Sequence, residues 1–195
     1  MILTGPAIRE AMARGHIAIT PCDPDQIAQA SVDLHLHPRV LQRYDEAHAR
    51  IDGVRAVSPL DVRQDSADQF FTLAPDETGA FLLWPGCLYL GATIERLDAP
   101  HHVAVIDGKS SLARLGVQVH LTAGYIEPGF YGQITLEIVV AAPVRIPPGW
   151  PIAQVRFHEV TGEIEPYAVR GSYAAAAVLD GPQTSRSYRH RARHA

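Results

Sequence analysis

The chain has 195 residues, of which 47% are hydrophobic and 19% charged, with a net charge of −4. That is the length of one domain able to bury a core, and the mildly acidic balance argues against a general nucleic-acid binder. No apolar run is long enough to span a membrane, and MILTGPAIREAM lacks the charged-then-apolar layout of a secretory signal, so a cytoplasmic protein is expected.

Residues 5–14 predict a short helix, with Ile8 and Met12 at helical spacing and Gly15 as its stop. HIAITP reads as a strand. Cys22 and Cys87 lie far apart without metal-ligand spacing, as ordinary thiols of a reducing compartment do. SVDLHLHPRVLQRY reads as one longer strand, with Val32, Leu34 and Leu36 on one face and Asp33, His35 and His37 on the other. Residues 45–69 are polar and read as a long loop. FFTLAP, GAFLLWPG and CLYLGATIERL follow as short strands broken by Pro and Gly, then QVHLTAGYI, GQITLEIVV, VRIPPG and IAQVRFHEV. Many short strands and one or two brief helices predict an all-β barrel or sandwich. The terminal SRSYRHRARHA is basic and lacks an apolar pattern, which divides the chain into a domain over 1–188 and a tail over 189–195.

The stretch GKSSLARLG holds the only lysine, Lys109, against sixteen arginines. It is not a Walker loop, which would need glycine where Val103 stands. It still has the parts of an anion site. Ser110 or Ser111 is placed to cap a short helix, Lys109 adds a charge, and Arg114 follows one turn later on the serine face. An ordinary capped surface helix fits the same residues. In GQITLEIVV, alternation puts Ile134, Leu136 and Ile138 on one side and Gln133, Thr135 and Glu137 on the other. A carboxylate among such residues is a candidate for proton transfer, although a solvent-facing edge glutamate satisfies the alternation too. AGYIEPGFYG reads as a glycine-rich turn that brings backbone, and Glu127, close to a ligand, or as a plain hairpin.

Taken together, SVDLHL, WPGCLYLGATIERL, IDGKSSLARLGVQVHLTAGYIEPGFYGQITLEI and GPQTSRSY resemble the dCTP deaminase family of the dUTPase-like superfamily. The resemblance implies a homotrimer of distorted β-barrels with active sites shared between subunits. It implies deamination of dCTP to dUTP and ammonia without zinc. The sequence has neither H-x-E nor P-C-x-x-C, the elements of zinc deaminases, and His35 and His37 read as structural or exposed. Mg²⁺ is implied as the counter-ion of the triphosphate, bound through the nucleotide.

By the same resemblance, Glu137 is the proton shuttle. Ser110 and Arg114 reach in from a neighbouring subunit to hold the water and the phosphates, and the carbonyl of Ala123 positions that water. Lys109 and Ser111 contact the triphosphate, Thr135 lies beside the base, and Tyr167 packs near the nucleotide. AGYIEPGF looks like the turn of members that go on to hydrolyse dUTP to dUMP. The chain departs from the family at three places. Glu127 stands where aspartate is usual for gripping the sugar, Ser172 and Ala176 replace a lysine and a glutamine, and residues are inserted before GPQTSRSY. Arg170 or Arg186 is the candidate for the missing charge. These departures leave open a dUTP diphosphatase, a deaminase of a ribo or modified cytidine nucleotide, or a non-catalytic nucleotide-binding trimer.

Overall fold

The computed structural model describes residues 1–44, 50–51, 54–55, 60, 66–167, 171, 173 and 181–185. Helix α1 (Gly5–Ala13) leads into strands β1 (Ala18–Thr20), β2 (Val32–His35), β3 (Gln42–Tyr44), β4 (Arg50–Ile51), β5 (Val54–Arg55), β6 (Phe70–Thr72), β7 (Phe81–Leu83), β8 (Tyr89–Asp98) and β9 (His102–Gly108). The four-residue helix α2 (Ser110–Ala113) follows, then β10 (Val117–Gln118), β11 (Tyr125–Ile126), β12 (Tyr131–Val140), β13 (Val144–Ile146) and β14 (Pro151–Glu159). The protein is thus mainly β with few short helices, as its pattern predicts. Among the described residues, no helix is long and apolar enough to cross a membrane.

Two sheets make the body. One runs β10-β12-β8-β3-β6, with β1 also paired to β8, and the other runs β11-β9-β14-β2. Both give their inward faces to one apolar cluster. Leu97, Leu136 and Ile138 come from the first sheet and Leu34, Ile106, Val155 and Phe157 from the second, each 3% exposed or less. Helix α1 closes one side by burying Ile8 and Ala11, and the chain leaves it through Gly15 at φ 72°. That backbone region costs most residues a steric penalty that glycine escapes.

The run SVDLHLHPRVLQRY is two strands, not one. β2 ends at His35 and β3 begins at Gln42. Pro38 between them has no N–H for a ladder and fixes φ, which favours a turn. β9 was not anticipated, yet it is an inner strand of the second sheet, paired with both β11 and β14. Within the expected loop over 45–69, the short pair of β4 with β5 and a 3₁₀ turn at Ala67–Gln69 are described. The tail over 189–195 lies outside the described residues.

The joint between β8 and β12 is irregular where it meets the site. Gln133 pairs with Arg96, but Thr135 pairs with Ala92, so three residues of β8 stand opposite Ile134 alone. Such a bulge orphans backbone groups. Here the fully buried Thr93 hydroxyl accepts from Ile134 N–H at 3.0 Å and donates to Glu95 O at 2.7 Å. Glu95, on the inward face of the same stretch, is buried at 2% exposure. Its carboxylate accepts from the backbone N–H of His35 and from Gln26 Nε2, both at 2.9 Å, and stands 2.6 Å from His35 Nδ1. His35 is therefore structural, as expected. Thr93→Val keeps the shape and removes both hydroxyl bonds. It should cost about 1–3 kcal/mol, read as a lower urea midpoint with an unchanged slope.

Candidate active site

Strand β12 sets the geometry. Its residues alternate as the sequence predicts, with Ile134, Leu136 and Ile138 buried and Gln133, Thr135 and Glu137 half-buried on the other face. That second face borders a cavity of about 840 Å³. Ala123 from the turn after β10 and Glu127 from the turn after β11 line it too, with Phe130 and Tyr167. Tyr167 is fixed from several sides. Its N–H donates to Pro128 O at 2.9 Å, its hydroxyl accepts from Tyr173 N–H at 3.0 Å, and its ring meets Phe130 edge-on at 5.6 Å. Burial pushes the Tyr167 hydroxyl pKa upward.

QVHLTAGYI is not a continuous strand. Its middle leaves the ladder between β10 and β11 and forms one wall of the cavity. Ala123 holds φ 46° there, the one non-glycine residue at positive φ among the described residues. A left-handed alanine costs roughly 1–3 kcal/mol and persists where its surroundings dictate it. Gly124 follows because nothing larger fits. A Cβ there would lie 2.8 Å from Ile106 O, which belongs to the neighbouring β9 backbone.

The same wall carries His120, which sequence reasoning passed over. Its Nδ1 lies 2.5 Å from Glu137 Oε2. The Glu137 carboxylate pushes the histidine pKa above its ordinary 6.5 against the opposing effect of burial, and backbone groups of Ala123 and Thr122 add to the rise. No local motif marks His120, because the pairing depends on how the turn after β10 packs against β12. A raised histidine pKa stabilises the fold fully below 6.5, and that contribution fades as pH climbs through the higher folded value. The melting-temperature advantage of the protein over a His120→Asn variant should therefore shrink as pH rises above 6.5.

The cationic candidates stand elsewhere. A second cavity of about 1030 Å³ is lined by Lys109, Ser110, Gln118 and Gln154, and it shares only Ile106, His120, Ala123 and Tyr125 with the first. Lys109 Nζ pairs with Asp33 Oδ1 at 2.5 Å. The expected cap is corrected here. Lys109 itself is the N-cap residue, no side chain caps the helix, and both serines lie in its first turn. Ser110, Ser111 and Arg114 are exposed, with Arg114 Nη1 donating to Ser110 O at 3.4 Å. Gln154 was also missed. It donates to Gly108 O at 3.0 Å and accepts from Ser31 Oγ at 2.9 Å, which fixes the floor under Lys109. One chain thus gathers Glu137, Ala123, Glu127, Thr135 and Tyr167, and holds Lys109 and Ser110 across the shared wall. Arg170, Ser172, Ala176 and Arg186 lie outside the described residues. Among the described residues, no group of three or more His, Cys, Asp and Glu is arranged to hold a metal ion.

Known proteins resemble this chain over most of its length. The model of the family described as dCTP deaminase-like matches residues 2–160. A protein of Bifidobacterium longum named dCTP deaminase, dUMP-forming, is 37% identical over 193 residues, covering 96% of this chain and 95% of its own. A Halobacterium salinarum protein of the same name is 41% identical over 194 residues, covering 95% and 94%. The crystal structure of a 2′-deoxycytidine 5′-triphosphate deaminase from Agrobacterium tumefaciens shares the fold, with a TM-score of 0.57 and 22% identity. That likeness covers 92% of this chain but about half, 54%, of the Agrobacterium chain. With a family match over most of its length and relatives alike from end to end, this chain belongs to the dCTP deaminase-like family.

Proposed function

We propose that the protein deaminates dCTP to dUTP and ammonia and carries the product on to dUMP and pyrophosphate. The observation that carries the reading is the placement of Glu137, a half-buried carboxylate on a rigid strand at the edge of a nucleotide-sized cavity. The backbone of Ala123 lines the same cavity. Two relatives named dUMP-forming support the second step.

In this reading a water lies between Glu137 and the Ala123 carbonyl. Glu137 takes one proton as the water oxygen adds to C4 of the ring, and delivers it to N3. It then takes the proton of the new hydroxyl and gives it to the amino group. The C4–N bond breaks, ammonia leaves, and a C4 carbonyl remains. Water activation rests on the carboxylate, and the substrate enters as its Mg²⁺ complex, with the ion on triphosphate oxygens and water. A second water then attacks the α-phosphorus of dUTP, and pyrophosphate departs.

In this reading, the charge of the cavity calls for a second subunit. Glu127, Glu137, Glu163 and Glu165 line the cavity, and His120 is the one basic side chain among its described lining residues. A triphosphate requires positive charge, and Lys109 and Arg114 stand outside this cavity. The proposed homotrimer supplies them, with Ser110 and Ser111, from a neighbouring copy. The proton on His120 has a further effect. While it is charged, Glu137 is paired and a poorer base, so the rate with dCTP should rise with pH through a value above 6.5. A pH–rate profile of His120→Asn should lack that limb.

The test is product separation by anion exchange after incubation with dCTP and Mg²⁺. dUMP with pyrophosphate supports the whole reading, and dUTP alone limits it to deamination. Unchanged dCTP beside turnover of CTP would overturn the deoxy preference. Unchanged nucleotides throughout would favour a binding protein.

A further inference from the structure

The C-terminal segment at residues 181–185 lies along the polar face of β12. Gly181 N–H donates to Gln133 Oε1 at 2.8 Å, and Gln183 N–H donates to Thr135 Oγ1 at 2.9 Å. Successive odd-numbered residues of the segment thus meet successive odd-numbered residues of the strand. Side chains replace the usual backbone acceptors. Thr135 is thereby committed as an anchor on its acceptor side, with its own O–H left to donate. The register sets Gln183 one repeat, about 7 Å along an extended strand, from Glu137. Gln183 lines the same cavity as Glu137, Ala123 and Tyr167. The one described bond of its side chain is a 3.3 Å contact from Nε2 to Gly181 O, at the long end of the hydrogen-bond range.

From this placement we infer that the Gln183 carboxamide recognises the edge of the substrate pyrimidine. The inference rests on the dCTP reading above. A carboxamide offers an acceptor and two donors on one planar group. Cytosine presents its exocyclic amino group as a donor. Deamination turns that position into a carbonyl acceptor. A half-turn about the last side-chain bond exchanges the amide oxygen and nitrogen, so one residue matches the base before and after deamination. An enzyme that must keep hold of dUTP for a second step needs a group of this kind. The backbone anchor to Thr135 does not depend on the side chain, so reading and anchoring separate experimentally.

The experiment measures KM and kcat for dCTP, and the Kd of dUMP by calorimetry, for the wild-type chain, Gln183→Ala, Gln183→Glu and Thr135→Val. Gln183→Ala keeps the N–H anchor and should raise KM for dCTP and Kd for dUMP roughly tenfold each, with kcat within about threefold. Gln183→Glu keeps the shape but removes the donor, so it should weaken dUMP more than dCTP. If Gln183→Ala and Gln183→Glu match wild type while Thr135→Val raises KM, the segment only covers the site and the inference is overturned. It is also overturned if all three variants match wild type. A wild-type chain that binds dCTP without turnover would sink the deaminase reading, and the Kd series alone would then decide whether Gln183 touches the base.

Discussion

Glu137→Gln should abolish ammonia release from dCTP, lowering kcat by about 10³-fold or more while the nucleotide still binds. The substitution is nearly isosteric and removes one function, the ability to take a proton. General acid–base groups contribute about 10² to 10⁴ each, and this carboxylate is asked to move protons twice in one cycle. Glu137 points away from the core, whose residues on β12 are Ile134, Leu136 and Ile138, so the fold should not suffer. Stopped-time ammonia detection reads the rate, and calorimetry with dCTP reads the binding. A variant within tenfold of the wild-type rate would remove Glu137 from the mechanism.

The second large effect is a recovery rather than a loss. Arg114→Ala alone should be nearly inactive, as Glu137→Gln is. Mixed in equal amounts, dissociated and reassembled, the two should regain roughly a quarter of wild-type activity, because a site with one intact Glu137 and one intact neighbouring Arg114 forms in that fraction of random pairings. The expectation follows from the wall of Ile106, His120, Ala123 and Tyr125, which stands between the two cavities of a single chain. A mixture no more active than its components would show that each chain completes its own site.

The parts legible in the sequence were those governed by local periodicity. The alternation of β12 assigned Glu137 to the polar face, and the apolar spacing in residues 5–14 predicted α1. Features set by distant partners were not legible. Lys109 and Asp33 are 76 residues apart, and nothing near either announces their pairing. Gln183 reaches Thr135 across 48 residues. His120 looked like one residue of a strand, because a chain that leaves the ladder to build a wall keeps its apolar composition. β9 was missed for another reason. HVAVIDG is brief, its first three residues are all buried, and an inner strand covered on both faces loses the alternation that marks half-buried ones.

The extra residues that β8 carries opposite Ile134 come as a pair, since its pairing partner advances from Arg96 to Ala92 where an unbroken ladder would reach Ile94. Strand faces repeat every two residues, so an even insertion preserves parity. Leu97 and Gly91, on either side of the bulge, both still face the interior with their β12 partners Gly132 and Leu136. A single inserted or deleted residue at this point would invert everything beyond it, exposing Tyr89 and driving Leu90 out of contact with the Glu137 row. Length variation in this strand is therefore quantised. Natural or engineered versions of β8 can differ here by two residues and keep the site, whereas a difference of one would place its floor on the wrong side of the sheet.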